Sequence, residues 1–162
     1  MRRALALLAA LAALGAHANV PLQPLGEGTL RWFGLKIYEA RLWTAGGAPD
    51  FSRPFRLELR YARSLDGEAI AERSAEEIAR LGFGTPARRA AWLDAMRRLF
   101  PDVVEGDALA GEHRPGVGAS FARNGRPLGE VADPEFSRAF FSIWLDPRTS
   151  EPGLRAALLG RS

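Results

Sequence analysis

The residue types that could carry out chemistry are few in this 162-residue sequence, and the missing types exclude several kinds of site. The sequence has no cysteine and only two histidines, His17 and His113. A zinc site of the usual kind needs His or Cys ligands, and a Ser–His–Asp or Cys–His site needs a histidine base. His113 precedes a Pro115-Gly116 turn, where we expect an exposed histidine at a strand end. Ligand binding remains, or chemistry by arginine, tyrosine, hydroxyl groups and water.

The N-terminal residues have the pattern of a secretory signal peptide. Arginines at positions 2 and 3 precede a run of alanine and leucine over 4–13, and Ala16-His17-Ala18 offers the small residues that a signal peptidase recognises. The apolar run is shorter than the roughly 20 residues of a membrane span. We therefore expect a signal peptide over 1–18, a mature bacterial protein starting at Asn19 in the periplasm, and no stable membrane anchor after cleavage.

Charge and length limit the partners and the number of domains. The sequence has 22 basic and 19 acidic residues, and loss of the two signal-peptide arginines leaves a mature net charge near +1. Nucleic-acid binding needs a basic patch and not a slight excess, so we expect no nucleic-acid partner. The length predicts a single domain over 19–162, large enough to bury a core without disulfides.

The predicted elements separate strands from helices. Branched and aromatic residues predict a long strand broken near Gly34, or a hairpin, over 29–44, and strict alternation predicts a strand over 55–61. Capping signals then predict two helices over 66–81 and 85–100, strands over 107–114, 117–123 and 127–131, and helices starting at Pro134 and after a Thr149 or Ser150 cap. This order indicates an α+β fold, an antiparallel sheet with helices on one face. Whether the layers enclose a solid core or a pocket stays open.

An ordered set of short motifs runs from about Leu25 to Gly160. They are Gly26-x-Gly28-x-x-Arg31, Gly34-x-Lys36-x-Tyr38-x-Ala40-x-Leu42, Leu57-x-Leu59-x-Tyr61, Phe100-Pro101-Asp102-Val103-x-x-Gly106-Asp107, Asn124-Gly125-x-x-Leu128-Gly129, Phe140-Phe141-x-Ile143-Trp144-Leu145 and Leu154-Arg155-x-x-Leu158-Leu159-Gly160. Together they resemble the secreted bacterial branch of the chalcone isomerase-like family. The resemblance implies an open-faced β-sandwich, in which a large antiparallel sheet is covered by a layer of helices with a ligand cleft between them.

The resemblance also implies which residues bind a ligand. In true chalcone isomerases an arginine, hydroxyl side chains and a tyrosine-held water stabilise an enolate, and in related proteins an arginine and a tyrosine bind a fatty-acid carboxylate. Arg31, Tyr38 and Ser142 correspond to such positions. Ile70 and Glu77 stand where the isomerases have a catalytic tyrosine and an asparagine, and the loss of one donor to an enolate typically slows a reaction about 10²–10³-fold. The resemblance therefore does not extend to efficient chalcone cyclisation.

We predict the first of three functions and keep the other two as alternatives; the missing tyrosine favours the first or the third. The first is a periplasmic protein that binds a small amphipathic, fatty acid-like acid or an aromatic ligand in an apolar cleft, with Arg31 at its polar end. The second is an isomerase, an intramolecular lyase, that stabilises the enolate of an enone-type substrate. The third is a structural or partner-binding envelope protein whose cleft is filled by its own side chains. None of them calls for a cofactor or a metal. An open cleft with Arg31 at its end would favour the first two.

Overall fold

The structure is a computed structural model that describes residues 20–161, so the predicted signal peptide lies outside the described residues. Six strands form one antiparallel sheet in which each strand pairs with the next along the chain. The strands are β1 (Gln23–Trp32), β2 (Leu35–Thr44), β3 (Phe55–Tyr61), β4 (Ala108–Arg114), β5 (Gly118–Arg123) and β6 (Arg126–Val131). The helices are α1 (Gly67–Leu81), α2 (Pro86–Leu99), α3 (Pro134–Leu145) and α4 (Pro152–Leu158). The predicted α+β fold is confirmed.

The break near Gly34 is a hairpin turn. Phe33 and Gly34 have φ angles of +48° and +77°, which turn β1 back onto β2. At the C-terminus the predicted Thr149 or Ser150 cap is wrong, because α4 begins later, at Pro152. The Thr149 hydroxyl instead donates to the Ile143 carbonyl (2.7 Å) and accepts from the Glu151 amide (3.2 Å), so it holds the connection between α3 and α4.

Two glycines let α4 lie directly on β1. A Cβ atom at Gly26 would come within 2.2 Å of the Ala157 carbonyl oxygen, and one at Gly28 within 2.8 Å of a Leu154 methyl group. Such distances are far shorter than a van der Waals contact of about 3.5–4.0 Å. The Gly-x-Gly motif therefore allows close packing of a helix on the first strand, which leads to Arg31.

The sheet packs its inner face against the helices through large aromatic side chains. Alternate residues of β3 are buried, from Phe55 to Tyr61, as the strict alternation predicts. On the helical side α3 contributes a row of buried rings, and edge-to-face pairs join this row to the sheet. No helix within residues 20–161 is long and apolar enough to cross a membrane.

His113 is buried, so the predicted exposed strand-end histidine is wrong. It lies opposite Phe55 in the β3–β4 register and is only 2 % exposed. Its Nε2 donates to the Phe51 carbonyl oxygen (2.9 Å), and the Ser137 hydroxyl donates to its Nδ1 (2.7 Å). The pattern before the Pro115-Gly116 turn could not reveal this, because both partners are distant in sequence and cover the ring from the loop before β3 and from α3.

Candidate functional site

A cavity of about 470 Å³ lies between the sheet and the helices α1 and α3. This volume is within the roughly 300–1,000 Å³ of pockets that hold small molecules. Its deep part is apolar, with Leu57, Leu59, Phe121, Phe140 and Phe141 among the lining residues. The solvent-exposed lining residues mark its mouth; they are Arg31, Trp32, Ala69, Arg73, Ser150 and Glu151. The cavity is therefore amphipathic along its length.

Two tyrosines face each other across neighbouring strands in the cavity wall, and they are the only tyrosines of the sequence. Tyr38 and Tyr61 are register partners on β2 and β3, with ring centroids 5.8 Å apart. The Trp144 indole Nε1 donates to the Tyr38 hydroxyl oxygen (2.9 Å), which leaves the Tyr38 hydroxyl proton free to donate. Trp144 thus fixes a hydrogen-bond donor in the wall.

Burial keeps both hydroxyls protonated. It raises the pKa of Tyr38 to about 12, and the hydrogen bond from Trp144 opposes this shift. The pKa of Tyr61 is raised as well, first by burial and then by the neighbouring Tyr38. At neutral pH both side chains are therefore neutral phenols, which can donate to an oxygen of a ligand but do not carry charge.

Glu77 is a buried carboxylate on α1 that contacts the α3–α4 connection. It accepts from Arg73 (2.8 Å), from Arg80 Nε (3.0 Å) and from the Ser150 hydroxyl (3.1 Å). A buried carboxylate needs such partners, because an unpaired charge away from water is strongly unfavourable. The network fixes one side of the mouth and neutralises Arg73.

Arg31, near the end of β1, is the second arginine at the mouth. It is exposed, and its Nη1 makes one long hydrogen bond, to the Gly34 carbonyl (3.4 Å). No salt bridge joins its guanidinium to an acidic side chain within residues 20–161. Of the two lining guanidinium groups, Arg73 is therefore paired and Arg31 is available to an anion.

The structure brings two of the three residues that the family resemblance assigns to a ligand into one cavity. Arg31 and Tyr38 both line it, at the mouth and in the wall. Ser142 is buried on α3 but is not among the lining residues, so its role in binding stays a prediction without a contact to support it. Ile70 and Glu77, the residues aligned with the isomerase tyrosine and asparagine, both line the cavity from α1.

Sequence reasoning did not identify Tyr61, Trp144 and Arg73 as parts of the site. Tyr61 and Trp144 lie inside motifs that carry the resemblance, and their spacing on a strand and a helix indicated only core positions. The hydrogen bond between Trp144 and Tyr38 joins residues 106 positions apart, so no local pattern could reveal it.

The arrangement can hold an amphipathic molecule and donate hydrogen bonds to its polar end. Its groups are guanidinium and phenol donors above an apolar interior, which suit a carboxylate or an enolate oxygen. Within residues 20–161, no three His, Cys, Asp or Glu side chains are grouped so that they could hold a metal ion. The chemistry of the donor set is that of anion binding.

Known proteins resemble this chain in sequence and in fold. An uncharacterized protein of Haemophilus influenzae is 29% identical over 141 residues, which cover 86% of this chain and 69% of that protein. The crystal structure of a fatty-acid binding protein of Arabidopsis thaliana superposes with a TM-score of 0.67 at 14% identity, over 86% of this chain and 87% of the plant chain. The sequence profile described as chalcone isomerase-like matches residues 16–160. Because that match covers nearly the whole sequence, the chain belongs to the chalcone isomerase-like family.

Proposed function

We propose that this protein binds a small amphipathic acid of the fatty-acid type. The apolar chain of the ligand lies in the cavity among the phenylalanine and leucine side chains, and its carboxylate lies at the mouth beside Arg31. The observation that carries the proposal is an apolar cavity of about 470 Å³ whose mouth holds a guanidinium without a carboxylate partner in the described chain.

The pairing of charges at the mouth explains why Arg31 is assigned to the ligand. Arg73 already donates to Glu77, so its charge is satisfied within the protein. Arg31 makes only the long hydrogen bond from Nη1 to the Gly34 carbonyl, so its guanidinium has N–H groups left for a carboxylate, which arginine binds most specifically in a bidentate contact. Tyr38, held by Trp144, is a further neutral donor in the cavity wall.

The comparisons support this proposal at the level of the fold. The plant protein with the same fold is a fatty-acid binding protein. The family also contains isomerases, and the cavity of this chain has Ile70 where they have the tyrosine that orients a water molecule. The loss of that donor weakens catalysis but not the binding of an apolar chain, so binding is the function that this cavity favours.

Binding of palmitate, measured by calorimetry, tests the role of Arg31. We expect Arg31→Ala to weaken binding roughly tenfold to hundredfold, because a hydrogen bond to a charged group contributes about 1.5–3 kcal/mol. Methyl palmitate, which lacks the charge, should bind the variant and the unmodified protein equally well. Arg126→Ala, which removes an exposed arginine from β6 at the opposite edge of the sheet, is the matched control.

The same experiment can contradict the proposal. If neither palmitate nor its methyl ester binds the unmodified protein, the cavity does not hold a fatty acid. If Arg31→Ala lowers the melting temperature enough to account for the loss of affinity, Arg31 stabilises the fold and does not select the ligand. Tyrosine absorbance gives an independent signal, because both tyrosines of the protein lie in the cavity wall.

A second candidate function is an isomerase that stabilises an enolate. The observation that favours it is the fixed Tyr38 hydroxyl, whose proton is free to donate into the cavity. Ring closure of a chalcone, followed by absorbance, tests it. Acceleration above the uncatalysed rate that Tyr38→Phe abolishes would support this function, and no acceleration would rule it out for chalcones.

We further propose that the protein acts in the periplasm after removal of residues 1–18. The proposal rests on the sequence pattern alone: two arginines, a short apolar run and the Ala16-His17-Ala18 site. Mass spectrometry of protein recovered from bacterial cells should find a chain that starts at Asn19. Recovery of a chain that retains Met1 would contradict the proposal.

A further inference from the structure

The turn between β1 and β2 presents large apolar side chains to solvent. Trp32, Phe33 and Leu35 are 66%, 86% and 52% exposed. Together with Gly34 they form a segment, residues 32–35, that we call the hairpin tip. Single exposed apolar residues are common on proteins, but three side by side at a protruding turn are a contiguous patch that usually marks an interaction site.

Folding alone does not explain the residue at the top of the hairpin tip. Phe33 has a φ angle of +48°, a left-handed conformation that is unfavourable for a bulky residue and that turns usually fill with Asn, Asp or Gly. Its ring contacts the Trp32 ring, at a centroid distance of 4.8 Å, and stays almost fully exposed. A strained residue with little packing is more often found where a function needs the side chain.

Two cations lie directly behind the hairpin tip. Arg31 and Lys36 are cross-strand register partners, the pair next to Trp32 and Leu35. Like charges directly opposite each other destabilise a strand pair, and only Lys36 has an acidic partner, Glu39, in the part of the chain that the structure describes. The tip is therefore an apolar end backed by Arg31, which has no acidic partner in the described chain, and by Lys36, which is paired with Glu39.

We propose that the hairpin tip docks on the surface of an anionic lipid bilayer. Trp32, Phe33 and Leu35 enter the interfacial region, where aromatic side chains are favoured, and Arg31 and Lys36 lie at the level of the headgroup phosphates. Trp32 also lines the mouth of the cavity, so docking places that mouth against the bilayer. Delivery of a ligand from the bilayer would rest on the proposed function; the docking itself does not.

The shape of the patch fits a bilayer better than a protein partner. A stable protein interface uses about 20–30 residues and about 800 Å² on each side. The tip offers four residues at the end of a two-stranded ribbon, which is too small for such an interface. A bilayer accepts a few apolar side chains at any orientation, and its anionic headgroups complement the adjacent cations.

Sedimentation with vesicles tests the proposal, because protein that docks should pellet with them. We expect binding to vesicles of phosphatidylcholine and phosphatidylglycerol, weaker binding to phosphatidylcholine alone, and a further loss when salt is added. The double variant Phe33→Asn with Leu35→Thr should bind at least about tenfold more weakly, because two apolar side chains no longer leave water. Val104→Thr with Val117→Thr, which alters two valines exposed at 55% and 50% outside the tip, should bind like the unmodified protein.

Trp32 supplies a direct signal of contact with the lipid. Its fluorescence should shift to shorter wavelength when vesicles are added and should be quenched by brominated lipid. The other three tryptophans are more buried, so Trp32→Phe should remove most of the signal and keep vesicle binding.

Three results would overturn the docking proposal. They are absence of vesicle binding by the unmodified protein, equal vesicle binding by the tip double variant, and self-association that this double variant abolishes without any binding to vesicles. Failure of the proposed function is a separate result, because Phe33 and Leu35 do not line the cavity. The tip double variant should still bind palmitate in solution, and a protein that docks on vesicles but binds no palmitate would refute only the fatty-acid proposal.

Discussion

Two hairpin turns of this protein have nearly the same φ angles but different residues at the first turn position, an apolar aromatic one in one turn and a polar one in the other. At the β1–β2 turn, Phe33 and Gly34 have φ angles of +48° and +77°; at the β5–β6 turn, Asn124 and Gly125 have +49° and +80°. Both are the geometry of a tight hairpin turn with two left-handed residues, which Asn-Gly fits best. One turn therefore has the residue that its backbone favours, and the other has a residue that its backbone disfavours.

Asn124 anchors its turn to the rest of the sheet. Its side-chain amide donates to Asp107 (2.9 Å), and its side-chain oxygen accepts from the Ala108 amide (2.8 Å). The hydrogen bond from Asn124 is the first cause that holds the pKa of Asp107 below its usual value. The Asn124 side chain therefore connects the β5–β6 turn to the first residue of β4 and to the residue before it.

Within residues 20–161 the Phe33 side chain makes no comparable contact, and Phe33 follows two residues at the mouth of the cavity. Arg31 and Trp32 line that mouth, and Phe33 projects beyond it. The same backbone thus serves the fold at one turn and presents an exposed ring at the other. At the β1–β2 turn, the sequence therefore has a residue other than the one that would stabilise the turn best. Such departures are expected at functional sites.

The largest expected effect is the loss of the Asn124 anchor. We expect Asn124→Ala to lower the free energy of unfolding by roughly 3–4 kcal/mol, because two hydrogen bonds are lost and alanine must adopt the left-handed conformation. Urea denaturation measures the change. A loss below about 1 kcal/mol would show that the two turns differ less than their contacts indicate.

A glycine at the same position separates the two causes. Asn124→Gly removes the same hydrogen bonds but has no strain at positive φ. It should therefore destabilise the protein by about 1–2 kcal/mol less than Asn124→Ala does. Equal losses for the two variants would mean that the hydrogen bonds carry the whole effect.

These turns also show what could be predicted from the sequence. Asn124-Gly125 is a strong local signal, and the hairpin it predicts is present. Phe33-Gly34 predicts a break but not its kind, because phenylalanine rarely adopts a positive φ. The alternation over β3 and the capping residues Thr85 of α2 and Asp133 of α3 also predict their elements closely, since each depends on neighbouring residues. Helix α1 does begin after Asp66, but the Asp66 side chain makes no capping hydrogen bond, and the distant Asp102 accepts from the Gly67 amide instead (2.8 Å).

The site was less accessible to prediction, because its contacts are long-range. The family resemblance assigned Arg31 and Tyr38, and both line the cavity. The indole that holds Tyr38 is more than a hundred residues away, and the burial of His113 depends on Phe51 and Ser137. Local patterns report which face of an element is apolar, and they do not report which distant side chain completes a hydrogen bond.

The β1–β2 hairpin, unlike the β5–β6 hairpin, should make the stability of the protein depend on pH in alkali. The β1–β2 hairpin carries Tyr38, whose pKa is raised by burial from 10.0 to about 12. Below pH 10.0 both the folded and the unfolded chains keep this proton, and its contribution to stability is complete. Between pH 10.0 and about 12 the unfolded chain releases the proton first, so stability falls as pH rises, by roughly 2–3 kcal/mol for this one group.

Tyrosinate absorbance reports Tyr38 and Tyr61 together, because these are the two tyrosines of the sequence, and the difference between the unmodified protein and Tyr38→Phe isolates Tyr38. Tyr38→Phe should reduce the alkaline loss of stability, and Asn124→Gly should leave its slope unchanged. Titration of both tyrosines at their ordinary pKa would show that the cavity is filled with water. The β1–β2 hairpin would then contribute no special loss of stability in alkali.

His113, which is buried on β4, should make the free energy of unfolding decrease in acid. Burial lowers the pKa of His113 on β4; the hydrogen bond to the Phe51 carbonyl opposes this shift, and the nearby Arg138 adds to it. The unfolded chain then takes up a proton below about pH 6.5 that the folded chain does not, so stability falls as pH decreases, by at most about 1.4 kcal/mol per pH unit. His113→Gln should have a shallower acid slope in urea denaturation at several pH values. An unchanged slope would assign the acid sensitivity to carboxylates.

The smallest expected effect is the most informative, because it has the opposite sign. Phe33→Asn places at the β1–β2 turn the residue that the β5–β6 turn already has, and asparagine tolerates the φ of +48° better than phenylalanine does. The lost contact with the Trp32 ring offsets part of this gain. We expect the free energy of unfolding to increase by about 0.5–1 kcal/mol, measured by urea denaturation. A natural residue whose replacement stabilises the fold is retained for another reason, and the hairpin tip supplies one if the same variant loses vesicle binding. Destabilisation by Phe33→Asn would instead show that the ring supports the fold, and the contrast between the two turns would no longer indicate function.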